Sequence, residues 1–233
     1  MPTGRRVLTG LLVIGLVVAG LLVLLPTPDS GRQCLPWEEG TRCGTWELVY
    51  DGFGLAQGTQ DAEGWRYRLA PRAVDRADQT SAALAVSAQD LGDVAVSARM
   101  RTLDQLRRPG ANPWEVAWLL WHYTDDKHFY YIALKPNGWE LGKAHPDYPG
   151  AQRFLATGST PAFPVNHWYA VQIRQIGDRT QVSVDGAPLV DFRDDNRPYL
   201  RGAVGLYTED AAVEFSHVHI QAIDAPTPSR GRP

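Results

Sequence analysis

The chain has 233 residues, 44% of them hydrophobic and 10% aromatic, and a formal net charge of −3 at pH 7. That composition supplies a sizeable core and excludes disorder for the bulk of the chain. The basic residues are scattered arginines with no run, which argues against nucleic acid as a partner and offers no polyanion-binding footprint in the sequence.

Arg5 and Arg6 precede an uncharged apolar run, VLTGLLVIGLVVAGLLVLL, that ends at Leu25 and is followed by the breakers PTPDSG. At about 1.5 Å per residue this run spans close to the ~30 Å hydrocarbon layer. The arginines hold its N-terminus in the cytoplasm and send the rest outward. Residues 1–29 therefore read as a membrane anchor or a signal segment. No A-x-A-like cleavage site follows the run, which favours a retained anchor in the cell membrane, with the domain outside the cytoplasm; a cleaved signal and a secreted protein are the alternative. Cys34 and Cys43, the two cysteines of the chain, lie just beyond. In an oxidising compartment thiols this close in sequence pair, so residues 30–45 read as a stalk closed by a Cys34–Cys43 disulfide.

Short alternating runs broken by turn signals follow, and these read as strands. In chain order they are WELVY, GWRYRLA, SAALAVS, DVAVSARMR, WEVAWLLWHY, HFYYIALK, WELGKA, RFLAT, WYAVQIRQI, TQVSV, APLVDF, GAVGLYT and VEFSHVHI. Outside the N-terminal run no segment has a helical period. Many short strands separated by Gly, Pro, Asn and Asp predict one all-β domain over residues 46–224, a two-sheet antiparallel sandwich. The Pro-rich residues 225–233 read as a disordered tail.

The runs WYAVQIRQIGDRTQVSVDGAPLVDF and GAVGLYTEDAAVEFSHVHI carry a family pattern. With Trp168, Val171, Ile173, Val182, Val184, Asp185, Gly186, Gly202, Gly205, Leu206, Val213, Phe215, Val218 and Ile220 in place, this part resembles the C-terminal half of the concanavalin A-like lectin/glucanase sandwiches. It is most similar to the laminin-G-like and 3-keto-disaccharide hydrolase branches. The resemblance implies a concanavalin A-like jelly roll and a sugar-binding sheet face.

Alternation across each strand sorts the aromatics. In WEVAWLLWHY, Glu115 marks its own set as the less buried, because an unpaired core carboxylate is costly. Trp118 then reads as core and Trp121 as facing a groove or solvent. The same sorting leaves Tyr131, Lys135, Glu140, Trp168, Gln172 and Arg174 on the polar faces of their strands. Aromatic planes beside carboxylates, amides and an arginine suit a pyranose, so Trp121, Tyr131, Lys135, Trp168, Gln172 and Arg174 are the candidate ligand-binding residues. An amphipathic sheet with a merely solvated polar face is the plainer alternative.

Glu115 and Glu140 are the candidate carboxyl pair if the protein is an enzyme, with Lys135 and His122 as further acid–base groups. The E-x-D-x-x-E motif of laminarinase-like relatives is absent, which places ordinary glucanase activity in doubt. The leading expectation is an exported, anchored carbohydrate-binding module whose partner is a glycan. A glycoside hydrolase of the 3-keto-disaccharide type is the runner-up, and a surface that docks a partner protein is the third reading. Metal signals are thin, and no metal site or cofactor is assigned. His122, Asp125, Asp126 and His128 read as a solvated turn, His217 and His219 lack a third ligand, and Asp51 with Glu214 falls short of a structural calcium site, which stays possible.

Overall fold

Alternation of apolar and polar side chains, interrupted by turn residues, produces sixteen strands in the computed structural model, which describes residues 32–76 and 78–223. The apolar N-terminal run and the Pro-rich tail lie outside the described residues. The first strands are β1 (Gln33–Cys34), β2 (Arg42–Cys43), β3 (Trp46–Tyr50), β4 (Leu55–Asp61), β5 (Gly64–Ala70) and β6 (Ala82–Ser87). The middle of the chain gives β7 (Val94–Gln105), β8 (Ala117–Asp125), β9 (His128–Lys135), β10 (Gly138–Ala144) and β11 (Gln152–Gly158). The series closes with β12 (Tyr169–Ile176), β13 (Arg179–Val184), β14 (Ala187–Arg193), β15 (Ala203–Glu209) and β16 (Ala211–Ala222). One 3-10 turn, Pro149–Ala151, is the sole helical element among the described residues, and no helix there is long and apolar enough to cross a membrane.

The strands form two antiparallel eight-stranded sheets. Sheet I runs β1-β4-β5-β16-β7-β12-β13-β14, and sheet II runs β11-β10-β9-β8-β15-β6-β3-β2. One face of each sheet is apolar, and the two pack on each other around Leu48, Leu69, Val96, Met100, Leu119, Ile132, Val171, Val182 and Phe215. The all-β two-sheet sandwich is therefore as the strand pattern implied. Strand β4 went unread because LAQGTQD contains two glutamines, a glycine and a threonine and offers only Leu55 and Ala56 as apolar residues.

Two expectations change. Residues 33–43 are no stalk: β1 pairs with β4 at one edge of sheet I, and β2 pairs with β3 at the matching edge of sheet II. The Cys34–Cys43 disulfide is present and joins those two edges. Gly58 makes room for it, since a Cβ there would lie 2.2 Å from the Cys43 sulfur. Trp37 of the loop is buried against Tyr67, so the loop is part of the sandwich wall.

The second change concerns β8. Its two side-chain sets are as read, but their faces are reversed. Ala117, Leu119 and Trp121 point between the sheets, and Trp121, 0% exposed, donates its indole N–H to Gln175 at 2.6 Å. Val116, Trp118 and Leu120 lie on the outer face of sheet II. Glu115 misled the assignment because it precedes the strand and is itself 0% exposed, paired with Arg107. A buried, paired carboxylate says nothing about which strand face meets water.

Candidate functional site

A cleft of about 340 Å³ opens on the outer face of sheet II. Its floor is a second apolar cluster in which Trp118 is the centrepiece. Register places Trp118 of β8 opposite Ala133 of β9 and Tyr207 of β15. The Trp118 ring stacks on Tyr131 at 4.4 Å between centroids and meets Tyr207 edge-on at 5.5 Å. Trp114 and Phe154, 44% and 59% exposed, form aromatic parts of the rim.

Carboxylates line the cleft at both ends. Glu140 of β10 accepts hydrogen bonds from the Tyr131 hydroxyl at 2.5 Å and the Lys135 ammonium at 2.7 Å. Tyr131 reaches across β10 because residue 142 is glycine; a Cβ there would sit 2.2 Å from the tyrosine oxygen. Gln152 donates to the same hydroxyl. Burial, followed by the Glu140 charge, holds the Tyr131 hydroxyl protonated far above the ordinary phenol range, so its one proton stays on the bond to Glu140. At the other end Glu209 of β15 accepts from the Tyr207 hydroxyl at 2.7 Å. Burial raises the Glu209 carboxyl above its usual range, and the neighbouring charges of Asp210 and Glu115 add to the effect. Asp126, on the β8–β9 turn, also lines the cleft and accepts from Tyr123 at 2.9 Å.

Glu115 does not line this cleft. Its carboxylate takes the Arg107 guanidinium, the Asn112 side-chain amide at 2.8 Å and the Asn112 backbone N–H at 3.1 Å. Arg107 also binds Asp210 at 2.5 Å and the carbonyls of Arg76 and Gln79. This buried triad holds the segment just before β8, which carries Trp114 to the rim.

The residues sorted as polar-facing divide between the sheets. Tyr131, Lys135 and Glu140 meet at the sheet II cleft, as their shared face implied. Trp168, Gln172 and Arg174 lie on the outer face of sheet I, on the far side of the molecule from it. Gln172 and Arg174 line a groove of about 650 Å³ there, while the Trp168 ring lies under the guanidinium groups of Arg99 and Arg101. Trp118, Tyr207, Gln152 and Glu209 were missed as site residues. Glu209 was legible in GLYTED, where Tyr207 and Glu209 share a face at i, i+2 spacing.

No group of three or more potential metal ligands exists among the described residues. His122 is buried with its ring nitrogens against the carbonyls of Tyr199 and Gly92, while His128 contacts Asp125 at 2.8 Å. Asp51 caps its own turn by accepting from the Phe53 N–H, and Glu214 is engaged by Arg101.

Two antiparallel eight-stranded sheets with an aromatic cleft on one outer face define a sandwich of the concanavalin A-like class. Residues 44–221 match the model of the 3-keto-alpha-glucoside-1,2-lyase-like domain, and the chain belongs to that family. Among solved structures it is similar to the carbohydrate-binding module CBM66 from Bacillus subtilis, with a TM-score of 0.54 and 19% identity over 76% of this chain and 96% of that one. A protein of unknown function with a galectin-like fold from Bacillus subtilis aligns with a TM-score of 0.51 and 12% identity, over 76% and 88% of the two chains. At these identities the likeness is one of fold. No curated protein is significantly similar to the chain in sequence.

Proposed function

We propose that this chain is an exported, membrane-anchored protein that binds carbohydrate in the sheet II cleft. The observation that carries the reading is the joining of an aromatic floor and rim to hydrogen-bonding carboxylates at both ends of one cleft. Pyranose rings present C–H faces to aromatic planes and hydroxyls to fixed polar groups, and the cleft supplies both. Membership of a sugar-directed family and a fold shared with a carbohydrate-binding module support it. Export and anchoring rest on the apolar run behind Arg5 and Arg6.

A glycan array probed with the full-length chain in detergent tests the binding. A hit whose affinity falls in Trp114→Ala and Glu140→Gln, yet survives in Trp168→Ala, supports the cleft. Binding to no glycan, with a protein partner captured instead, rejects it. Membrane fractionation with N-terminal sequencing tests the address; a mature start between Leu21 and Arg32 replaces the anchor with a removed signal.

The family and the raised Glu209 carboxyl favour a catalytic second reading, elimination across C1–C2 of a 3-keto-glucoside. The C3 carbonyl acidifies the C2 proton, a carboxylate takes it, and the C1–O bond breaks with its electrons leaving on an oxygen that is then protonated. Glu140, paired with Lys135, suits the base, and Glu209, biased by burial toward its protonated form, suits the acid. β10 and β15 stand three strand spacings apart, about 14 Å between backbones. Both side chains line the cleft between those strands. Incubation with a 3-keto-α-glucoside and product analysis is the test: turnover lost in Glu140→Gln with binding retained supports it, and a bound but unconverted substrate rejects it.

A further inference from the structure

Scattered in sequence, several arginines become neighbours on the outer face of sheet I. Register puts Arg68 of β5 and Arg101 of β7 on either side of Glu214 of β16. One step along the same strands, Arg66 and Arg99 flank Ser216. In these two rows of β5, β16 and β7 four guanidinium groups thus surround a single carboxylate, in a chain whose overall charge is negative. Adjacent rows lie about 7 Å apart along the strands, and the arginines of one row about 10 Å apart across them.

The fold leaves this charge largely unanswered. Glu214 pairs with Arg101 at 2.6 Å. Among the described residues, Arg66, Arg68 and Arg99 are exposed and make no ion pair or side-chain hydrogen bond with the protein. The Nε of Arg101 is the buried side-chain polar atom that lacks a hydrogen-bond partner there. Glu214 interleaves a carboxylate in the first row, whereas the second row has only the uncharged Ser216 between Arg66 and Arg99. Trp168 also orders the patch, since its ring lies under Arg101 at 4.8 Å and Arg99 at 5.4 Å. Cation–π contact holds both groups in place before any ligand arrives, and a planar guanidinium pairs with a carboxylate or sulfate through two parallel N–H donors.

We propose that this face binds an anionic polysaccharide, one bearing carboxylate, sulfate or phosphate groups along its length, through Arg66, Arg68, Arg99 and Arg101. Cations in a grid on an open sheet face suit an extended polymer with repeated charge. The site is separate from the sheet II cleft and does not depend on what that cleft binds.

Full-length protein in detergent would be titrated with polygalacturonate, dextran sulfate and neutral dextran across a range of NaCl. The expected result is binding of the two polyanions and not of neutral dextran, weakened about tenfold or more between 50 and 200 mM salt by counterion release. The triple variant Arg66→Ala/Arg68→Ala/Arg99→Ala should lose about tenfold or more in affinity. Its lysine counterpart should keep most of the binding, and Trp114→Ala, at the other face, should keep all of it. Salt-insensitive binding, no binding of either polyanion, or undiminished binding by the triple alanine variant overturns the proposal. So does tighter association with phosphatidylglycerol vesicles, polyglutamate or duplex DNA than with either polysaccharide. A neutral glycan held by the cleft leaves this result unaffected, so the two sites fail or stand independently.

Discussion

The two sheets bury similar apolar inner faces, yet their outer faces have opposite characters. Sheet II turns outward a tryptophan, tyrosines and leucines, ringed by Glu140, Glu209 and Asp126. Sheet I turns outward arginines, glutamines and serines, part of them lining a groove. The inner faces are constrained by each other, because side chains from both must interlock at high density. The outer faces are constrained only by what they meet, so their difference is where function is to be sought.

The largest effect expected from a single change lies behind the sheet II cleft. Arg107→Ala strands Glu115 and Asp210 as buried carboxylates, and loss of one partner from such a set costs about 3–5 kcal/mol. Urea denaturation should show it; a change under 1 kcal/mol would mean the triad is no support for the rim. Next in size is the contrast between two tryptophans. Trp121→Ala should cost about 3–5 kcal/mol as a large-to-small core substitution. Trp114→Ala should leave the denaturation midpoint nearly unmoved and weaken glycan binding by about 1 kcal/mol. If Trp121→Ala keeps full stability and loses binding instead, the faces of β8 are as the sequence first suggested.

Removing the disulfide through Cys34→Ser should cost about 2–3 kcal/mol by the loop-entropy relation. The smallest effect concerns pH. A carboxyl raised in the folded state holds its proton more tightly there than in the unfolded chain, so stability falls as pH rises from the ordinary carboxyl value through the raised one. Glu209→Gln should flatten part of that decline and leave stability at lower pH unchanged, with the raised Asp210 carboxyl supplying the remainder. A wild-type profile that climbs across this window would contradict the burial of Glu209 described above.

Much of the fold was legible because periodicity is local. WELVY, GWRYRLA and HFYYIALK are strands with the bounds read from the sequence, and the inner faces of β9, β10 and β12 follow from simple alternation. Which sheet a strand joins is not local. Tyr131 and Gln172 looked like members of one face because each opposed a core residue, yet their strands belong to different sheets. The site therefore divided. Glu115 shows the other limit: a charge signals exposure only while its partner is unknown, and Arg107 stands eight residues away. The arginine patch was invisible for the same reason as the cleft, since its members come from β5 and β7 with β16 between them.

The Cys34–Cys43 bond has a mechanical consequence. A pull on the chain from its N-terminal side arrives first at β1, whose two residues pair with β4. Alone, that pair would peel from sheet I one hydrogen bond at a time. The sulfur bridge carries the tension across to β2 and so to the edge of sheet II, which divides the load between both layers.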